Sequence, residues 1–275
     1  MTDDGFFNSH GAQLYERHWL PASPPRAHVV FIHGYGDYCE RHAPLAAALN
    51  REGLAVHTYD QRGCGRSPGR RGQVPDFSLL VQDLAGYLAH IRPRVRDSAL
   101  FLLGHSMGGL VLATHAAAAP LATQGLIFSS PFLAFSEDLS PALIAVGRVL
   151  GVVAPWLPVV RTDCSGVSRD PEVVQAVSND PGVYHGWIRA GTGAQFNAAI
   201  RRVRARFAAI TQPLYIMHGS ADEIVSSEGS RMLYDSCGSS DKCLRIHDGG
   251  YHELWNDLDR ETVVAEMMDW IAARI

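Results

Sequence analysis

The chain has 275 residues, 47% of them apolar and 19% charged, the composition of a globular protein able to bury a core in one large α/β domain or two small ones. Its formal charge of −4 leaves no basic footprint, which argues against a nucleic-acid partner. The five cysteines form no C-x-x-C pair, which argues against a zinc site or a disulfide framework; Cys237 and Cys243 bracket a short loop, yet plain thiols are the expectation for all five.

The opening Met-Thr-Asp-Asp-Gly has neither the cationic head nor the apolar run of a secretory signal, so a cytoplasmic location is expected. Residues 28–32 and 55–59 read as short strands rich in β-branched and aromatic side chains, with a helix over 44–51 between them. Phe77, Leu80, Leu84, Tyr87, Leu88 and Ile91 recur at helical spacing and predict an amphipathic helix over 76–91, with Pro93 just beyond its end. A strand over 100–103, a helix over 110–118 that stops at Pro120, and a strand over 125–128 follow. Further on come strands at 214–217 and 243–246 and a last helix at about 260–274. Strands alternating with helices predict a mostly parallel sheet covered by helices on both faces.

Between about 131 and 210 the alternation breaks into helical runs and prolines with no clear strand. The simplest organisation is a single domain, 1–275, with a helical cap inserted at about 132–210 over the carboxyl ends of the strands, where open α/β sheets bind ligands. Within this insertion, 139–160 carries one charge, Arg148, and has the length of a membrane span. Its prolines and glycines, and the ~3 kcal/mol cost of Arg148 at mid-bilayer, favour a buried or interfacial helix.

Gly104-His105-Ser106-Met107-Gly108 follows the strand at 100–103 and matches G-x-S-x-G, the turn that lifts a serine from a strand end onto a helix start. The glycines flanking the serine are needed because a Cβ at either place would crowd the adjoining strand and helix. A serine hydroxyl needs a base, and the base an orienting carboxylate, in the chain order serine, acid, histidine. Asp222 lies just past the strand at 214–217, and His252 lies in the glycine-bearing loop after the strand at 243–246. Asp248 and Asp257 compete for the acid role, but neither follows a strand as Asp222 does. Backbone N–H groups of Met107 and of Tyr35, in the His33-Gly34-Tyr35-Gly36-Asp37 loop, are the expected oxyanion donors.

At these residues the chain resembles bacterial monoacylglycerol lipases, in the α/β-hydrolase superfamily that also holds lysophospholipases and small-ester esterases. The resemblance runs through 33–37 with Arg41, Asp60-Gln61-Arg62-Gly63-Cys64-Gly65-Arg66-Ser67, 104–109, Asn179-Asp180-Pro181-Gly182-Val183-Tyr184-His185-Gly186, 218–222 and 251–253. It implies Ser106 as nucleophile, Asp222 as acid, His252 as base, Tyr35 and Met107 as oxyanion donors, and a mobile, partly apolar cap that admits an acyl chain and touches membranes. The chain departs from the family at Asp37 and Tyr38, where glutamate and histidine are usual, and at Gly63-Cys64-Gly65, where glycine-histidine-glycine is usual. Tyr35 is also bulkier than the small residue usual there, which would narrow access to the site.

The expectation is a serine carboxylester hydrolase working through an acyl-enzyme, without metal or cofactor, on monoacylglycerols or similar fatty-acyl esters. A general short-chain esterase or a lysophospholipase is the alternative. The apolar segment around Leu143, Ile144, Val146, Leu150 and Val153 would line a tunnel or rest transiently on a membrane surface. A peptidase on the same scaffold and a non-catalytic binder are the remaining readings; the second conflicts with the presence of all three triad members in order.

Overall fold

The innermost strands are continuous apolar runs because both of their faces are covered, and this is why they are legible as strands. The computed structural model describes residues 1–96, 98–119, 121–136 and 141–275, with the side chains of 141–144 and 148 outside that set. Pro120 and Leu139 therefore lie outside the described residues, as do the side chains of Leu143 and Ile144.

The strands are β1 (Thr2–Ser9), β2 (Ala12–Trp19), β3 (Ala27–Ile32), β4 (Leu54–Tyr59), β5 (Ala99–His105), β6 (Gly125–Ser129), β7 (Pro158–Arg161), β8 (Trp187–Arg189), β9 (Leu214–Gly219) and β10 (Lys242–His247). The helices are α1 (Ala43–Arg51), α2 (Phe77–Val95), α3 (Met107–Ala116), α4 (Pro141–Val153), α5 (Pro171–Asn179), α6 (Ala190–Arg204), α7 (Glu228–Ser236) and α8 (Arg260–Ala272). Eight strands form one sheet in the order β1-β2-β4-β3-β5-β6-β9-β10. The six from β4 to β10 in that order are parallel, and the β1-β2 hairpin adds antiparallel to β4. One face buries Leu84 and Tyr87 of α2, Leu110 and Ala113 of α3 and Phe196 and Ile200 of α6. The other buries Leu45 and Leu49 of α1 and Met267 and Trp270 of α8.

This order places the site. The chain leaves β3 toward β4 on one side and returns to β5 on the other, so the loops after β3 and β5 diverge and leave a crevice at their carboxyl ends. Ile32 pairs with Gly104 at that edge, and Phe128, Ile216 and Leu244 continue the row across β6, β9 and β10.

Three expectations are corrected. Helix α2 does not stop before Pro93 but runs through it to Val95, whose side chain is buried in the core and holds the last turn against the loss of one backbone bond. The 131–210 stretch does contain strands: β7 and β8 pair as an antiparallel ribbon, too short and too exposed to show an alternating pattern. The hairpin β1-β2, turning on His10 and Gly11 at φ 41° and 77°, precedes the first element expected from the sequence. Helix α6, the last α-helix before β9, packs Phe196, Ala199, Ile200 and Val203 into the main core and so belongs to the helical layer.

A run of buried histidines crosses the sheet. His28 Nδ1 lies 2.8 Å from His57 Nε2, and His57 Nδ1 lies 2.9 Å from His18 Nδ1. Burial, reinforced by His18 and His28, holds His57 well below its usual pKa, and burial lowers His28 as well. His57 stays neutral in the folded protein while its unfolded counterpart protonates near pH 6.5. Its contribution to stability is therefore complete above that pH and falls below it by about 1.4 kcal/mol per pH unit, and His28 adds in the same direction. Urea midpoints are expected to fall steeply between pH 6 and 5, before the carboxylates protonate.

Candidate active site

Ser106 sits at the point of a sharp turn, between the end of β5 and the first residue of α3, with φ 51° and ψ −119°. A non-glycine residue at positive φ is strained, and the neighbours hold it there. Ser106 N–H donates to the Ser129 carbonyl at 3.1 Å, and its own carbonyl accepts from Phe132 at 2.9 Å. The two motif glycines are explained by contact rather than by φ. A Cβ on Gly108 would overlap the Ile32 carbonyl, and one on Gly104 would meet Gly108 O at 2.8 Å. Thus α3 can start directly over β3 only because these residues have no side chain.

Asp222 and His252, thirty residues apart, meet across the ends of β9 and β10. His252 Nδ1 lies 2.6 Å from Asp222 Oδ2. The other carboxylate oxygen of Asp222 accepts from Ile224 N–H at 2.9 Å and Val225 N–H at 3.0 Å, and His218 Nε2 lies 3.2 Å from Oδ2. Burial by itself would raise the Asp222 pKa, but the His252 charge and the bonds from His218 and His252 outweigh it and hold the carboxyl well below the usual range. For His252 the opposition is reversed: burial would lower it, while the charge and hydrogen bond of Asp222 raise it above 6.5. The competing acids are engaged elsewhere. Asp248 accepts from Ser220 at 3.2 Å, and Asp257 accepts from the backbones of Tyr251 and Arg169, each at 2.8 Å.

The Ser106 hydroxyl makes no hydrogen bond among the described residues, a common state for such a pair before substrate arrives. His252 instead packs against His105, the residue before Ser106, with ring centroids 4.8 Å apart and planes inclined at 51°. Ser130 Oγ donates to the His252 carbonyl at 2.8 Å. Burial, aided by His252, takes His105 down to about 3, so it is a neutral platform at any working pH. Only adjacency to the serine motif marks His105 in the sequence.

The loop after β3 lies against the same turn. A Cβ on Gly34 would come within 3.3 Å of Ser106 Cβ. Gln61 holds this loop twice, accepting through no side chain but donating from its amide to the His33 carbonyl at 2.7 Å and from its backbone to His33 Nε2 at 3.0 Å. The N–H groups of Tyr35 and Met107 meet no acceptor among the described residues. The Tyr35 ring is tied back: its hydroxyl donates to Gly72 O at 2.7 Å and its edge packs on Phe196.

The departures at 37 and 38 form a clasp that was not visible in the sequence. Arg41 grips Asp37 through Nε at 2.7 Å and through one terminal nitrogen at 2.8 Å, and on its far side binds both carboxylate oxygens of Glu253, the residue after His252. His42 Nε2 lies 2.6 Å from Asp37, and the Tyr38 hydroxyl donates to Asp180 at 2.8 Å. Burial would raise the Glu253 carboxyl, but Arg41 brings it down to about 2. The loop bearing Tyr35 and the loop bearing His252 are thereby joined by one guanidinium.

The family model for the hydrolases described as "Serine aminopeptidase, S33" matches residues 23–259. The chain belongs to this family. It is 35% identical to the monoacylglycerol lipase of Mycolicibacterium smegmatis over 277 residues, covering 100% of this chain and 98% of that protein. It is 34% identical to the monoglyceride lipase of Rattus norvegicus over 271 residues, covering 98% of this chain and 89% of that protein. The crystal structure of Paleococcus ferrophilus monoacylglycerol lipase superimposes with a TM-score of 0.85 at 30% identity, over 95% of this chain and 99% of that one. The α/β-hydrolase fold and the resemblance to monoacylglycerol lipases both hold.

With Arg41 removed, Glu253 loses its counter-cation and Asp37 is left with His42 as its charged partner. Arg41→Met is expected to lower the free energy of unfolding by about 3–5 kcal/mol in urea titrations. Arg41→Lys should recover only part of that, because one ammonium cannot fork both carboxylates.

Proposed function

We propose that the protein hydrolyses monoacylglycerols or similar fatty-acyl esters through a Ser106-His252-Asp222 acyl-enzyme mechanism. The observation that carries this reading is the 2.6 Å contact between Asp222 and His252, whose ring packs against His105 in the strained turn that presents Ser106. His252, unprotonated, takes the Ser106 proton as the hydroxyl attacks the ester carbonyl. The N–H groups of Tyr35 and Met107 receive the oxyanion, and the start of α3 adds its partial positive charge. The intermediate collapses, the glycerol oxygen leaves with the proton from His252, and the acyl group stays on Ser106. Water then repeats the sequence, giving its proton to His252 and releasing the fatty acid. Asp222 holds the imidazole in the productive tautomer and stabilises its charge.

The monoacylglycerol lipases among the relatives support the glycerol ester as substrate. The family's description also names an aminopeptidase, but the site does not favour one. A substrate α-amino group needs a free carboxylate, and Asp37 and Glu253 are both closed by Arg41. In this reading residues 132–210 act as a cap. Support for transient membrane contact comes from a strip of exposed apolar side chains, Val149 (62%), Val152 (81%), Val153 (64%) and Trp156 (65%), at the end of α4 and just beyond it. No helix among the described residues is long and apolar enough to cross a membrane. All five cysteines are free thiols, which supports a reducing, cytoplasmic setting.

A fluorophosphonate is expected to label Ser106, and Ser106→Ala to lower turnover by on the order of 10⁴-fold or more. Wild-type enzyme should cleave long-chain monoacylglycerols faster than p-nitrophenyl acetate; the reverse order would favour the short-chain esterase. Because the base must be unprotonated and Asp222 raises it, kcat/KM should rise with pH through an apparent pKa above 6.5. Asp222→Asn should shift that limb to lower pH and reduce kcat by about 10⁴-fold.

A further inference from the structure

Away from Ser106, a cleft of about 620 Å³ lies between the end of α4, the outward face of α6 and the loop at 70–75. Neither Ser106, Asp222 nor His252 lines it. Arg70, Arg189 and Arg201 do, and no Asp or Glu is among the described lining residues, in a protein whose formal charge is −4. None of the three arginines is paired with a carboxylate among the described residues; Arg189 donates to the Trp156 carbonyl at 2.8 Å. The surrounding frame is built. Val74 N–H donates to Thr192 Oγ1 and Phe77 N–H to Gln195 Oε1, each at 3.1 Å, so the 70–75 loop and the start of α2 are tied to α6. Val152 and Trp156 line the cleft and belong to the exposed apolar strip as well.

Three unneutralised guanidinium groups around one cavity select an oxygen-rich anion, since their forked donors match phosphate geometry. The adjoining valines and tryptophan select an apolar tail on the same molecule. We propose that the cleft seats the phosphate headgroup of an anionic phospholipid while the strip at Val149, Val152, Val153 and Trp156 enters the acyl region beside it. The protein then docks on anionic bilayers with α4 and α6 facing the lipid. This rests on the membrane contact proposed for the cap and adds to it a headgroup site and a charge preference.

The test is flotation with vesicles of phosphatidylcholine, alone or mixed with phosphatidylglycerol. Wild-type protein should bind the mixed vesicles more tightly, and half-molar salt should abolish the difference. Each arginine near an anionic surface is worth about fivefold in binding, so the triple variant Arg70→Gln, Arg189→Gln, Arg201→Gln should lose on the order of 100-fold on mixed vesicles. It should keep the wild-type affinity for phosphatidylcholine and the wild-type rate on p-nitrophenyl acetate. Equal binding of both vesicles by the wild type, or a charge preference retained in the triple variant, overturns the proposal. If the wild type binds neither vesicle, the cap contact fails by itself, and calorimetry with dihexanoyl phosphatidylglycerol below its micellar concentration then decides the cleft. Binding that is lost in the triple variant sustains the headgroup site. No binding, or equal binding of inorganic phosphate, overturns it.

Discussion

The approach of α3 to β3 is the constraint on which the rest of the site depends. Gly108 lies against the Ile32 carbonyl and Gly104 against Gly108, so the helix can begin immediately over the neighbouring strand. That closeness forces Ser106 into a left-handed conformation and presents its side chain at the carboxyl edge of the sheet. The same edge is the point where the strand order reverses, so the loop after β3 opens toward Ser106 instead of covering it. The free N–H groups of Tyr35 and Met107 follow from that geometry, because one belongs to the diverging loop and the other to the first turn of the helix.

Around this point the protein places buried charge in matched sets. Asp222 is surrounded by His252, His218 and two backbone N–H groups, and Arg41 is closed by two carboxylates. Each set costs desolvation, and each is satisfied closely enough to stay ionised. The consequence is rigidity: the Tyr35 loop and the His252 loop come from opposite ends of the chain and share one guanidinium. The stretch from α4 to α6 has a different character. Its α6 is part of the core, whereas the end of α4 leaves valines and Trp156 in solvent.

The buried strands were legible because two-sided burial demands an unbroken apolar run, and 28–32 and 55–59 match β3 and β4 within one residue. The hairpin β1-β2 and the ribbon β7-β8 were not, since β1 is rich in polar residues and β7 and β8 are only four and three residues long. Pro93 misled for a related reason. A local rule ends the helix there, and the burial of Val95 overrides it. At the site, Ser106, Asp222 and His252 were legible from motif and order along the chain, while Arg41, Glu253 and His105 acquire their meaning only from contacts.

The amino-acid sequence by itself determined the parallel α/β layering and singled out a candidate serine and histidine, with candidate acids between them or beside the histidine. Both are written in local terms: apolar runs, glycines where a Cβ cannot fit, and strand ends followed by short loops. Only the tertiary structure decided that Asp222 rather than Asp248 or Asp257 meets His252, and that Arg41 joins the two loops. It also gathered Arg70, Arg189 and Arg201 around a cleft without acids. These relations reach across as many as 212 positions, and hydrogen-bond reach and burial are properties of space that spacing along a chain does not encode.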